Sequence, residues 1–129
     1  MTSRKPFSVR GRIESFRYAF AGFGHILKGQ HNFWIHLAAT VLVVTAGFIL
    51  HVDHTEWCLL VIAIVLVWIT EFLNTALEML ADFLSPEKNE TIRRVKDVSA
   101  AAVLVASFGA LFIGLIVFLP LFLDWIRGH

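Results

Sequence analysis

The run TEFLNTALEMLADFL, residues 70–84, decides how this chain folds, because it continues WCLLVIAIVLVWI, residues 57–69, without a break. The earlier thirteen residues carry no charge and read as the first half of a helix embedded in lipid. The continuation keeps the apolar character but adds Glu71, Glu78 and Asp82. An ionised carboxylate in hydrocarbon costs at least about 2.5–3.5 kcal/mol, so such residues are rare within spans and mark function.

Working outward, two further apolar segments flank this one, so that spans are predicted over 33–50, 57–84 and 98–123. Each reaches or exceeds the roughly 18–20 residues a helix needs to cross hydrocarbon. With 57% hydrophobic and 16% charged residues in 129, the chain reads as a single all-α integral membrane domain over 1–129. Buried helices of a soluble protein are the alternative, but so short a chain cannot wrap three such helices in polar layers. Cys58 stands alone, which excludes an intramolecular disulfide. The N-terminus is basic, yet its first long apolar run begins only at Phe33, so no cleaved signal peptide is expected.

Lys and Arg set the orientation. Arg4, Lys5, Arg10, Arg12, Arg17 and Lys28 precede the first span, and Lys88, Arg93, Arg94 and Lys96 lie between the second and third. HVDHTE, residues 51–56, has none and the C-terminal tail has Arg127, a split of ten against one. The positive-inside rule puts the N-terminus and the 85–97 connection in the cytoplasm. Over 12–28, Ile13, Phe16, Phe20, Phe23 and Leu27 recur at helical spacing among Arg12, Glu14, Arg17, His25 and Lys28, predicting an amphipathic surface helix. It reads equally as an anchor or as a lid over a site. Trp34, Trp57 and Trp125 sit near span ends as interfacial anchors, whereas Trp68 is mid-span and packs. Ala102, Ala106, Ala110 and Gly114 repeat every four residues and form a close-packing seam, which points to a homo-oligomer with a shared interior.

The acids form a stripe. At about 100° per residue, Glu78 lies about 20° from Glu71 on one side and Asp82 about 20° on the other, with Thr75 at about 40° and Asn74 at about 60°. Counting from Trp57 at about 1.5 Å per residue, Glu71 lies about 21 Å into a hydrocarbon layer about 30 Å thick, with Glu78 at its boundary and Asp82 among headgroups. That depth makes Glu71 the candidate general base, and Glu78 and Asp82 candidates for a hard cation such as Mg²⁺. Carboxylates merely paired with loop cations are the competing reading. RRVKD, residues 93–97, supplies charges that suit a nucleotide polyphosphate, although basic residues are expected there in any membrane protein. No P-loop, Gly-rich strand-turn-helix or kinase catalytic loop is present, so phosphate chemistry needs another scaffold. His51, Asp53 and His54 read as a metal cluster or as a simple polar turn.

EFLNTALEMLADFL followed by VKDVSAAAVLVA resembles the signature of the prokaryotic diacylglycerol kinase family, which includes the undecaprenol kinases. The pattern E-x-x-N-[ST]-A-x-E-x-x-x-D, then A-K-D and small residues, falls on Glu71, Asn74, Thr75, Ala76, Glu78, Asp82, Lys96, Asp97 and Ala100 to Ala102. The likeness extends from SFRYAFAGF through NFWIHLAA to GLIVFLP. It implies a homotrimer of three spans per chain preceded by a surface helix, in a bacterial plasma membrane. Such enzymes pass the γ-phosphoryl of MgATP to the hydroxyl of a lipid alcohol at the cytoplasmic interface, and no nucleic acid is involved. By position, Glu71 is the expected base, Glu78 a metal ligand that also belongs to the ATP site, and Asn74 a support at the substrate. Asp82, Lys96 and Asp97 are expected to contact or organise ATP, with Glu87, Asn89, Tyr18 and Arg12 as further nucleotide candidates. Where the family carries a metal-sharing Glu before the first span, this chain has Gln30 in KGQHNF, a neutral ligand that adds no charge. SPEKNET, residues 85–91, also departs from the pattern. GLIVFLP looks more like the undecaprenol-type members. The alternatives are a proton or cation relay subunit, since intramembrane acids also serve relays, and an inactive scaffold.

Overall fold

The computed structural model describes residues 8–29, 31–85 and 89–128, with the side chains of Lys28 and Gly29 left aside. Among them there are four helices: α1 (Val9–Gly29), α2 (His31–Ile49), α3 (His54–Leu84) and α4 (Glu90–Arg127). The last three are long and apolar enough to cross a membrane, which makes this an all-helical multi-pass membrane protein. Where a surface helix is expected over 12–28, a helix runs over 9–29. Its last turns meet the bundle, with Ile26 buried and Phe23 edge-on to Phe72 at 4.7 Å between ring centroids. Ile13, Phe16 and Phe20 of its apolar stripe stay exposed in the isolated chain.

The largest departure is at the third span, expected from 98 and found from Glu90. Asn89 explains the earlier start: its Oδ1 accepts from the backbone N–H of Thr91 and of Ile92, which caps the helix. Glu90 in the first turn suits the positive end of the helix dipole and pairs with Arg94 one turn on. The RRVKD segment is therefore helical and not a loop. At 38 residues α4 is about 57 Å long against about 30 Å of hydrocarbon, so its charged first turns stand clear of the lipid.

Helix α2 runs antiparallel to α3, since Thr40 bonds Trp68 while His36 lies at Glu71. Helix α4 runs antiparallel to α3 as well, through Ser99 on Asn74 and Lys96 on Asp82. The α2–α3 turn is tight. His51 adopts the left-handed conformation at φ 55°, which histidine enters more readily than bulkier residues. Asp53 then caps α3 in a reciprocal box with Glu56: each side chain accepts from the other's backbone N–H, at 2.8 and 2.9 Å. HVDH is thus a turn-and-cap device. Among the described residues no three His, Cys, Asp or Glu side chains are grouped to hold a metal.

Near this turn Val52, Leu60 and Val117 form the apolar core, with Trp57 packed on it. Trp57 is consequently a packing residue as much as an interfacial one. Its ring meets Phe48 at 5.0 Å and passes so close to Gly47 that a Cβ there would stand 2.6 Å from it. Trp68 packs mid-span, on Phe33 at 5.1 Å. The Ala102–Gly114 seam is open at both ends within the chain: Gly114 has no neighbour within 4 Å of where a Cβ would sit, and Ala102 is exposed, while Ala106 and Ala110 are half-buried.

Asp53→Ala removes half of the capping box while leaving the spans intact. It is expected to cost about 1 kcal/mol, read as a lowered unfolding midpoint by circular dichroism in detergent micelles.

Candidate active site

The polar stripe of α3 meets α4 deep in the helix pair. Glu71 is 1% exposed, and Asn74 and Thr75 are buried beside it. Asn74 sits between two partners. Its Nδ2 donates to Glu78 Oε1 at 3.2 Å, and its Oδ1 accepts from the Ser99 hydroxyl at 2.7 Å. That hydroxyl carries one proton, which the Lys96 carbonyl, 2.9 Å away, also accepts. The amide orientation of Asn74 is therefore set from α4 and passed on to Glu78.

Glu71 lies on the other side of the same space. His36 of α2 brings Nε2 to 3.5 Å from Glu71 Oε2. Neither Glu71 oxygen has a hydrogen bond among the described residues, nor does the Thr75 hydroxyl. A buried polar atom without a partner is costly, and each such atom in a folded protein calls for an explanation. Glu71 borders a cavity of about 290 Å³ lined also by Asn74, Glu78, His36, Asn32 and Ser107, among others. A second, apolar groove of about 610 Å³ runs between α2 and α4 over Ile64 and Val67 of α3. The two spaces share Ile35, His36 and Ser107. A polar chamber thus adjoins an apolar groove, with these three residues common to both walls.

The stripe read from the sequence is only partly one site. Glu71, Asn74 and Glu78 line the chamber, whereas Asp82 lies further along, more than half exposed, with its Oδ1 2.5 Å from Lys96 Nζ. The pairing of an acid with a basic residue, weighed above as the competing reading, holds for Asp82. Asp97 is exposed on α4, and Asn89 is engaged in capping it. Tyr18 and Arg12 lie on the exposed surface of α1, Tyr18 with the Arg17 guanidinium 6.0 Å from its ring. Gln30 and Glu87 lie outside the described residues. Sequence reading missed His36 and Ser99. An ionisable side chain within a span was the available signal for His36. Ser99, next to a run of alanines, offered none.

The prokaryotic diacylglycerol kinase family matches residues 17–118. The chain is 39% identical over 109 residues to a diacylglycerol kinase of Synechocystis, covering 84% of this chain and 62% of that protein. It is 32% identical over 108 residues to the undecaprenol kinase of Bacillus subtilis, covering 84% of this chain and 88% of that one. To the diacylglycerol kinase of Escherichia coli K12 it is 37% identical over 90 residues, covering 64% and 74%. The chain therefore spans less than two thirds of the Synechocystis relative and most of the Bacillus one.

The Asn74–Ser99 bond joins α3 to α4 away from water. Ser99→Ala leaves the amide of Asn74 half-satisfied, and an expected loss of about 0.6–1.7 kcal/mol follows from measured interhelical hydrogen bonds in membranes. Thermal unfolding in micelles checks it, with Ser99→Thr expected to keep most of the bond.

Proposed function

The chain belongs to the prokaryotic diacylglycerol kinase family, and on that premise we propose that it is a lipid kinase that passes the γ-phosphoryl of ATP to the hydroxyl of a membrane lipid alcohol. One observation carries the reading most strongly: the Glu71 carboxylate, without a hydrogen bond among the described residues, lines a polar chamber that shares wall residues with an apolar groove. An alcohol with a hydrocarbon tail matches that pairing, its hydroxyl in the chamber and its tail in the groove.

In the proposed reaction the hydroxyl oxygen forms a bond to the γ-phosphorus, and the bond from that phosphorus to the bridging oxygen breaks, releasing ADP with the electron pair. The hydroxyl proton goes to Glu71. Such a transfer depends on positioning and charge neutralisation and needs no covalent enzyme intermediate. Asn74 holds Glu78 in place and borders the hydroxyl. Mg²⁺, when bound, neutralises the phosphates. Glu78 fits it, because this ion is typically held by one or two carboxylates while water and phosphate supply the rest. Gln30 is the second proposed ligand. ATP is assigned to the headgroup level, with Lys96, Asp97 and the exposed Asp82 as its proposed contacts and Asn89, Glu87, Tyr18 and Arg12 as further candidates. The basic residues of α1 and of the first turns of α4 support the proposal that this end, and the N-terminus, face the cytoplasm from a bacterial inner membrane. A homotrimer is the proposed assembly, a reading supported by the open ends of the small-residue seam at Ala102 and Gly114. Between undecaprenol and diacylglycerol, GLIVFLP favours the former. The relay alternative gains no support from the family.

The test is transfer of ³²P from labelled ATP into mixed micelles offering undecaprenol and diacylglycerol separately. Mg²⁺-dependent label in the lipid is expected, and Glu71→Gln is expected to lower the rate by about 10²–10⁴-fold, the range for loss of a general base. Protein that is folded yet labels no lipid alcohol would refute the proposal. Gln30→Glu adds a charge to the metal site and is expected to lower the Mg²⁺ concentration giving half-maximal rate.

A further inference from the structure

His36 has no assigned part so far, and its surroundings are unusually well defined. Its ring is only 15% exposed and stands at the junction of the polar chamber and the apolar groove. Two contacts reach His36 directly, one at its ring and one at its backbone carbonyl, and two more fix the groups that make them. The Trp68 ring meets it edge-on, with centroids 6.4 Å apart. Trp68 Nε1 donates to the Thr40 hydroxyl at 3.0 Å, and that hydroxyl donates to the His36 carbonyl at 2.8 Å. Phe33 closes on the far side of Trp68. The imidazole is therefore held by packing on the Trp68 ring, and its Nε2 lies 3.5 Å from one oxygen of Glu71, Oε2.

The two carboxylate oxygens of Glu71 thereby become inequivalent. Only Oε2 has an imidazole nitrogen beside it, which leaves Oε1 for an incoming hydroxyl. A carboxylate with no such restraint rotates about its terminal bond, which is broad and roughly two-fold. We propose that His36 is the positioning residue of the transfer site, donating from Nε2 to Glu71 Oε2 so that Oε1 is aimed at the lipid hydroxyl where chamber and groove meet. The inference rests on the kinase reading. The separation of 3.5 Å suits a site without substrate, since catalytic hydrogen bonds tighten when the reacting complex forms. A bland role is also open to His36: it offsets the burial of an acid. The two roles differ in what replaces the imidazole. Offsetting charge requires a cation, whereas positioning requires only a donor at that reach, which a glutamine amide provides.

The experiment uses the unaltered chain, His36→Ala and His36→Gln in micelles with labelled ATP and undecaprenol. His36→Ala is expected to lower kcat about 10²-fold, the size of effect that a misplacement of about 1 Å produces, with KM for MgATP unchanged. His36→Gln is expected to recover most of that loss. A kcat for His36→Ala within twofold of the unaltered chain would overturn the inference, and so would His36→Gln as slow as His36→Ala. If His36→Ala does not fold, the ¹⁵N resonance of His36 Nε2 decides: it is expected to move on Glu71→Gln, and an unmoved signal overturns the inference. Absence of transfer by the unaltered chain would remove the kinase reading and this one together. Transfer that is indifferent to His36 removes this one alone.

Discussion

The hydrogen bond from Ser99 to Asn74 is the interaction on which the polar interior depends. Hydrocarbon offers no partner to an amide, so Asn74 can be buried only where α4 supplies one. Once Oδ1 is held from α4, Nδ2 is aimed along α3 at Glu78. A single interhelical bond therefore fixes how the helices meet and also where the second acid of the chamber points. At the other end of the pair, the Val52, Leu60 and Val117 core and the Gly47–Trp57 approach hold the helices by packing alone. The bundle is tied by polar contacts at one end and by close apolar contact at the other.

Glu71 is the exception that this arrangement protects. Its oxygens lie among buried groups with His36 at 3.5 Å and no finished hydrogen bond among the described residues. Leaving a carboxylate in that condition is unfavourable, and a fold tolerates it where the missing partner is supplied during function. The adjoining spaces indicate the kind of partner. A chamber lined in part by acids and amides adjoins a groove lined by Ala39, Leu42, Val43 and Leu115, the pairing that an amphipathic molecule matches. Phosphoryl transfer between a water-soluble donor and a lipid needs such a boundary.

The structure also divides what had looked like one row of acids. Helical geometry puts Glu71, Glu78 and Asp82 within about 40° of one another on α3, and no more follows from period alone. Whether each acid is free or neutralised depends on what α2 and α4 bring opposite. Lys96 meets Asp82 because Asn89 starts α4 two turns earlier than the hydrophobic run indicates. The apolar threshold that marks a span in sequence says where lipid begins, and helices continue past it as long as the backbone is capped.

Much of the fold was legible in the sequence, for a physical reason. Crossing about 30 Å of hydrocarbon demands a length and an apolar composition that a one-dimensional count detects, so the three spans and the acid stripe on the second could be read directly. The Asn-and-acid spacing of residues 71–82 carried the family likeness in the same way. Contacts between residues far apart in the chain leave no such trace. His36 and Glu71 are separated by 35 positions, and Ser99 and Asn74 by 25; neither separation has a period that marks it. The register of α2 and α4 against α3 decided that His36 faces the buried acid, that Ser99 holds the amide, and that a polar chamber adjoins an apolar groove. Register is set by the packing of whole helices, and only the tertiary structure decides it.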